Sequence, residues 1–222
     1  MPKFDTPSAV TAHVDIPGGT LRFIAADRGD TLVEVLPADA SRSRDTKAAE
    51  RTEVTCADGV LDIRTAKGAK SRLLGDSGSV EITVQLPAGS HVEAKAGAAE
   101  LRGVGRLGDV VFEGGYGSVK LDEAASVRLG GHDATITVGR LTGPGEISTQ
   151  RGDVTVTEAT RGALTLSTVQ GDITVGAARG VPAVLDAGTT VGRIDNALKN
   201  DGEPALTIRA TTTQGDITAR SL

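Results

Sequence analysis

Apolar and polar residues alternate in short runs along most of this chain, and glycine bounds the runs. Ala163-Leu164-Thr165-Leu166-Ser167-Thr168 alternates, as do Ser126-Val127-Arg128-Leu129 and Leu206-Thr207-Ile208-Arg209-Ala210. A period of two over four to eight residues predicts half-buried strands. A second signal recurs between them: glycine, a small polar or acidic residue, a β-branched residue, a polar residue, an apolar one. It reads Gly108-Asp109-Val110-Val111-Phe112, Gly117-Ser118-Val119-Lys120-Leu121, Gly152-Asp153-Val154-Thr155-Val156 and Gly171-Asp172-Ile173-Thr174-Val175. Later copies are Gly192-Arg193-Ile194-Asp195-Asn196 and Gly215-Asp216-Ile217-Thr218-Ala219, and a degenerate one spans His132–Val138. Its strand register is left open by the sequence.

The glycines at 152, 171, 192 and 215 recur about every 20 residues. Each unit is therefore two short strands and two turns. One unit cannot bury its own apolar face, and stacked units form a continuous core. The pattern predicts an all-β chain folded as a right-handed β-solenoid. Glycine supplies the corner, the following Asp bonds nearby backbone N–H groups, and alternate residues point inward. Val154, Ile173, Ile194 and Ile217 are expected to form one inward stack in that order. Residues 1–222 read as a single domain. About 1–100 is an irregular β cap with the first strands, and about 101–222 holds the repeat coils. Strand runs in the first part include Val10–Ile16, Val60–Ile63 and Val80–Leu86; the one helical segment, Ser43 to Arg51, is polar.

Several of these phrases resemble a known family. Gly171–Val175, Thr213-Gln214-Gly215-Asp216-Ile217-Thr218, Leu86-Pro87-Ala88-Gly89-Ser90 and Thr190–Asn196 are similar to the bacterial putative-adhesin family of β-strand-repeat proteins. The similarity runs from Val10 to the C-terminus and is nearest to actinobacterial members. It implies a right-handed β-helix-like fold, unknown function and no catalytic residues. The adhesin label implies a surface location.

Composition narrows the chemistry. Formal net charge is −5, from 24 basic and 29 acidic residues. Mild acidity argues against nucleic acid as a partner, which usually meets a basic face. Phe4, Phe23, Phe112 and Tyr116 are the only aromatics, too few for base-stacking platforms or for the aromatic-lined groove of a carbohydrate-active β-helix enzyme. Cys56 is the sole cysteine, so no intrachain disulfide forms, which fits a reducing compartment. No signal peptide, membrane-spanning segment or lipidation cysteine is read from the sequence. The expected location is the cytoplasm, without membrane insertion.

No constellation of a catalytic, cofactor or metal site emerges. Asp109, Asp153, Asp172 and Asp216 could form a calcium ladder, but calcium wants six to eight oxygen ligands, and corner turns explain these residues better. His13, His91 and His132 have no metal-ligand spacing. Cys56 sits in a strand-like run without a basic neighbour and reads as an inert thiol. Gly114–Gly117 and Gly130-Gly131 lack the Lys-Ser/Thr of a phosphate loop and read as turns. Residues 64–72 form the only basic run and read as a solvated loop. The sequence therefore points to a non-catalytic interaction or scaffold protein. Its partner is another protein or a second copy meeting it end to end. The alternatives are a surface module exported by an unrecognised route and, last, a carbohydrate-active enzyme.

Overall fold

A computed structural model describes residues 2–66 and 78–222. The strands are β1 (Lys3–Asp5), β2 (Thr11–Ala26), β3 (Asp30–Pro37), β4 (Thr52–Ala57), β5 (Val60–Thr65), β6 (Val80–Pro87), β7 (His91–Leu141), β8 (Gly145–Ser148) and β9 (Val154–Ala159). They continue as β10 (Gly162–Gln170), β11 (Ile173–Ala177), β12 (Ala183–Val191), β13 (Ile194–Ala197), β14 (Leu206–Gln214) and β15 (Ile217–Ser221). Helix α1 spans Ser43–Glu50, at the predicted polar segment.

The chain is a β-solenoid, as the repeat predicts. β7 makes the winding plain. Its 51 residues would stretch roughly 170 Å at about 3.3 Å per residue. Instead the strand turns back on itself: Lys95 pairs with Glu113 at 3.1 Å and Arg102 with Asp122 at 2.7 Å, one coil apart. Coil then lies on coil in parallel register. One inward column runs Val127, Gly145, Leu164, Ile208, Leu185. The other runs Ile136, Val154, Ile173, Ile217, Ile194. The Ile136–Val154 pairing fixes the register of the degenerate copy after His132.

The order within that second column differs from the expected one. Ile217 lies between Ile173 and Ile194, because the final coil β14/β15 inserts between β10/β11 and β12/β13. The reason lies in the side chains. Leu206, Ile208, Ala210, Ile217 and Ala219 are fully buried, whereas β13 is exposed at every residue. Asn196 stands in register with Ala219, at a core position. A polar residue there is tolerated only at the end of the stack, so the more apolar coil takes the inner place.

The first end is built similarly. β2 lies between β7 on one side and β5 and β6 on the other, all parallel to it. Outside these, β3 and β4 add antiparallel strands, and β1 adds to β3. α1 packs against β3, with Ala48 buried and the Asp45 carboxylate accepting the Ser79 N–H at 2.9 Å.

Candidate functional site

The richest surface feature is the corner that carries the repeated glycines. Gly171 and Gly215 have φ of 150° and 149°, in a region that side chains rarely adopt. A Cβ on Gly215 would also overlap the Gly171 carbonyl oxygen, and one on Gly171 the Gly152 carbonyl oxygen. The corner thus needs glycine twice over: for conformation and for close stacking.

Three ladders run along this corner. In the first, aspartates cap the next coil. The Asp172 N–H donates to Asp153 Oδ1 at 2.9 Å, the Asp216 N–H to Asp172 Oδ1 at 2.8 Å, and the Arg193 N–H to Asp216 Oδ1 at 2.9 Å. A corner interrupts strand pairing, so each such amide needs an acceptor. The Arg193 guanidinium also reaches Asp216 Oδ2 at 2.9 Å. The backbone N–H of Arg193 and then its side chain hold the Asp216 carboxyl below the usual aspartate value. Oxygens engaged in this way serve the backbone. Among the described residues no group of three or more His, Cys, Asp or Glu is placed to hold a metal ion. Asp109 is elsewhere, at a different corner.

The second ladder was not anticipated. Thr168 donates its hydroxyl to the Gly152 carbonyl, Thr212 to that of Gly171 and Thr189 to that of Gly215, each at 3.1 Å. All three threonines stand three residues before a corner glycine, a spacing that sequence inspection could have found. The third ladder is exposed, just before the glycines: Asp133, Arg151, Gln170, Gln214 and Val191 are in register. Arg151 pairs with Asp133 at 3.2 Å, and Gln170 Nε2 donates to Gln214 Oε1 at 2.9 Å. Beyond them the Tyr116 and His132 rings lie 5.8 Å apart, tilted 40°. Tyr116 is the one exposed aromatic of the four.

The remaining candidates are dispersed. His13 Nδ1 lies 3.1 Å from Glu93. His91 Nδ1 accepts the Asp109 N–H at 3.0 Å, and Ser126 donates to Asp109 Oδ1 at 2.6 Å. This grouping differs from a nucleophilic triad, in which the imidazole sits between Ser and Asp. Asp109 and Ser126 line a surface groove of about 690 Å³ with Thr142, Pro144 and Arg161. Among the described residues that line it Asp109 is the only carboxylate, and glycoside hydrolysis generally uses two. Cys56 is half-buried, and desolvation pushes its thiol pKa up, away from nucleophilic character. It borders a cavity of about 420 Å³ that includes Lys3, Phe4 and Asp58. Of the basic run, Arg64 pairs with Asp62 at 2.7 Å, and residues 67–72 lie outside the described residues. No helix among the described residues is long and apolar enough to cross a membrane.

No curated protein matches the chain. Among solved structures, the fold is similar to a putative adhesin from Bacteroides fragilis NCTC 9343. Identity is 15%, over 98% of this chain and 95% of that one, with a TM-score of 0.53. A putative adhesin from Parabacteroides distasonis ATCC 8503 is 16% identical over 98% and 95%, with a TM-score of 0.43. The Bacteroides fragilis likeness concerns the fold alone. The family model of Toastrack DUF4097 matches residues 11–221, and the chain, with its parallel coils and glycine corners, belongs to that family.

Proposed function

We propose that this chain is a non-catalytic interaction module that works in the cytoplasm and presents its glycine-corner ridge to a protein partner. The observation that carries the reading is the exposed ladder of Asp133, Arg151, Gln170 and Gln214 beside Tyr116 and His132. Its side chains meet in pairs: Arg151 with Asp133, Gln170 with Gln214 and Tyr116 with His132. Preorganised polar groups around an exposed aromatic suit recognition, since little side-chain freedom is lost on binding. The test is crosslinking of the tagged chain in its own host, followed by affinity capture and mass spectrometry. A specific partner should be lost when Tyr116→Ala and Arg151→Ala are combined. Capture that survives this pair refutes the ridge as the surface, and no capture refutes the partner.

A surface-adhesive role is the second reading. It is favoured by the name given to the Bacteroides fragilis structure, and it predicts cleavage of the chain when intact cells are treated with protease.

A further inference from the structure

The coil built from β12 and β13 is an excursion from an otherwise regular winding. At the preceding corner, Ala159 ends β9, Thr160 and Arg161 follow, and Gly162 opens β10. Ala177 ends β11 in register with Ala159, and Leu206 opens β14 in register with Gly162. Between Ala177 and Leu206, however, the chain has 28 residues in place of two. Both ends of that stretch are anchored as in an ordinary corner. The Ala178 N–H donates to the Ala159 carbonyl at 2.8 Å, as the Thr160 N–H donates to that of Leu141 at 3.0 Å, and the Ala205 carbonyl accepts the Gly162 N–H at 2.9 Å. Residues 179–204 thus leave and return at the two positions that Thr160 and Arg161 fill one coil away. Without them Gly171 and Gly215 would be 18 residues apart instead of 44, which is the spacing of Asp133 and Arg151 in neighbouring coils. The excursion is held from one side. Among the described residues β12 and β13 pair only with β14 and β15, and Arg193 and Asp186 pin them to Asp216 and Arg209 at 2.9 and 3.2 Å. Ile194 stays 46% exposed where Ile217, in register with it, is 0% exposed, so this coil gains less from burial than the one beneath.

We propose that residues 179–204 are a cover, an inserted coil clipped onto a solenoid that is complete without it. The cover opens as one unit and, when closed, keeps the edge of β14 and β15 from pairing with another copy of the chain. What lies beneath it is the apolar cross-section of Leu206, Ile208, Ala210, Ile217 and Ala219, all buried. An open strand edge over such a section is a template for further strands, and repeat proteins finish their ends with a unit whose outer face is polar. The cover has that face: Asp195, Asn196, Lys199, Asp201 and Glu203 are exposed. Three carboxylates stand there against one lysine, so two closed ends repel each other. Once uncovered, the edge of β14 and β15 in a purified chain has the same edge of a second uncovered copy to pair with. The ridge residues Tyr116, His132, Asp133, Arg151, Gln170 and Gln214 all lie outside 179–204, so cover and ridge stand or fail separately.

The test deletes 179–204 and joins Ala178 to Ala205. The shortened chain should keep its β-type circular dichroism and a cooperative thermal transition. In sedimentation velocity at matched concentrations, the full chain should run as a monomer and the shortened chain should associate. A second measurement leaves the chain whole. In a Cys56→Ser background, Gly188→Cys and Thr211→Cys, both exposed and in register on β12 and β14, should close a disulfide that locks the cover; a Cβ at Gly188 meets no other atom. Hydrogen exchange in 183–197 should then slow at least about tenfold, with exchange in 206–221 unchanged. A shortened chain that does not fold overturns the proposal, as does one that stays as monomeric as the parent. So do a parent that associates as strongly as the shortened chain, and a disulfide that leaves 183–197 unchanged or slows both segments alike.

Discussion

Thr212 is a polar side chain at a core position, and its hydroxyl is satisfied by the Gly171 carbonyl one coil away. Thr212→Val keeps the shape and removes the donor. It should cost about 1 kcal/mol and lower the Tm by about 2–4 °C for a domain of this size. Thr211→Val, on the exposed side of the same strand, should leave the Tm unchanged; calorimetry compares the two. The aspartate ladder predicts a pH dependence. The Asp216 pKa is depressed below 3.8 in the folded chain. Its stabilisation is therefore fully present above that value and is lost as pH falls through the folded pKa. Urea titrations from pH 6 to pH 2 should show a smaller acid loss for Asp216→Asn than for the parent chain. Much of this corner was legible beforehand, because Gly and Asp repeat at fixed offsets. Asp153, Asp172 and Asp216 each accept an amide of the adjacent coil, where the sequence suggested one in a nearby turn, a distinction that needs the stacking distance. The threonines escaped notice because hydroxyls in an alternating run read as outward-facing. Thr168 has the same parity as Leu164 and Leu166, and that parity places it inside.

At the level of the strand, position in the stack sets the energy of a side chain. Ile208 and Leu185 belong to one inward column, but Ile208 has coils on both sides and Leu185 on one. Ile208→Ala should cost about 2–5 kcal/mol through lost burial and a cavity. Leu185→Ala should cost clearly less, since its site already opens toward solvent. Urea midpoints of the two variants measure the difference. Alternation identified both residues as inward-facing. It could not order the coils, since parallel neighbours are chosen by stacking and not by adjacency along the chain. Asp195 and Asn196 carried the relevant signal, two polar residues where other copies place Thr, Lys or Val and then an apolar residue. The histidines illustrate the same gap. His91 and Asp109 are 18 residues apart and meet across one coil, whereas His13 and Glu93 are 80 apart and meet because β2 lies beside β7.

Across the whole molecule, both terminal coils are interior. β2 and the pair β14/β15 each have neighbours on two sides, and the segments that follow or precede them in sequence form the outer coils. Chain ends usually fray first, and stability in repeat proteins usually falls toward the terminal unit. Here hydrogen exchange should be slower in 206–221 than in 183–197, the reverse of the usual gradient. Faster exchange in 206–221 would contradict the inserted coil.

That insertion also sets an order on synthesis. The ribosome makes β12 and β13 before β14 and β15, yet the later pair must lie inside the earlier one. At about 5–20 residues per second, a second or more separates the two. During that interval the nascent chain either holds a vacant slot beside Ile173 and Leu164 or pairs β12/β13 there in the wrong register and must release them. Any delay between the emergence of β12/β13 from the ribosome and that of β14/β15 lengthens the exposure of that slot to other nascent strands.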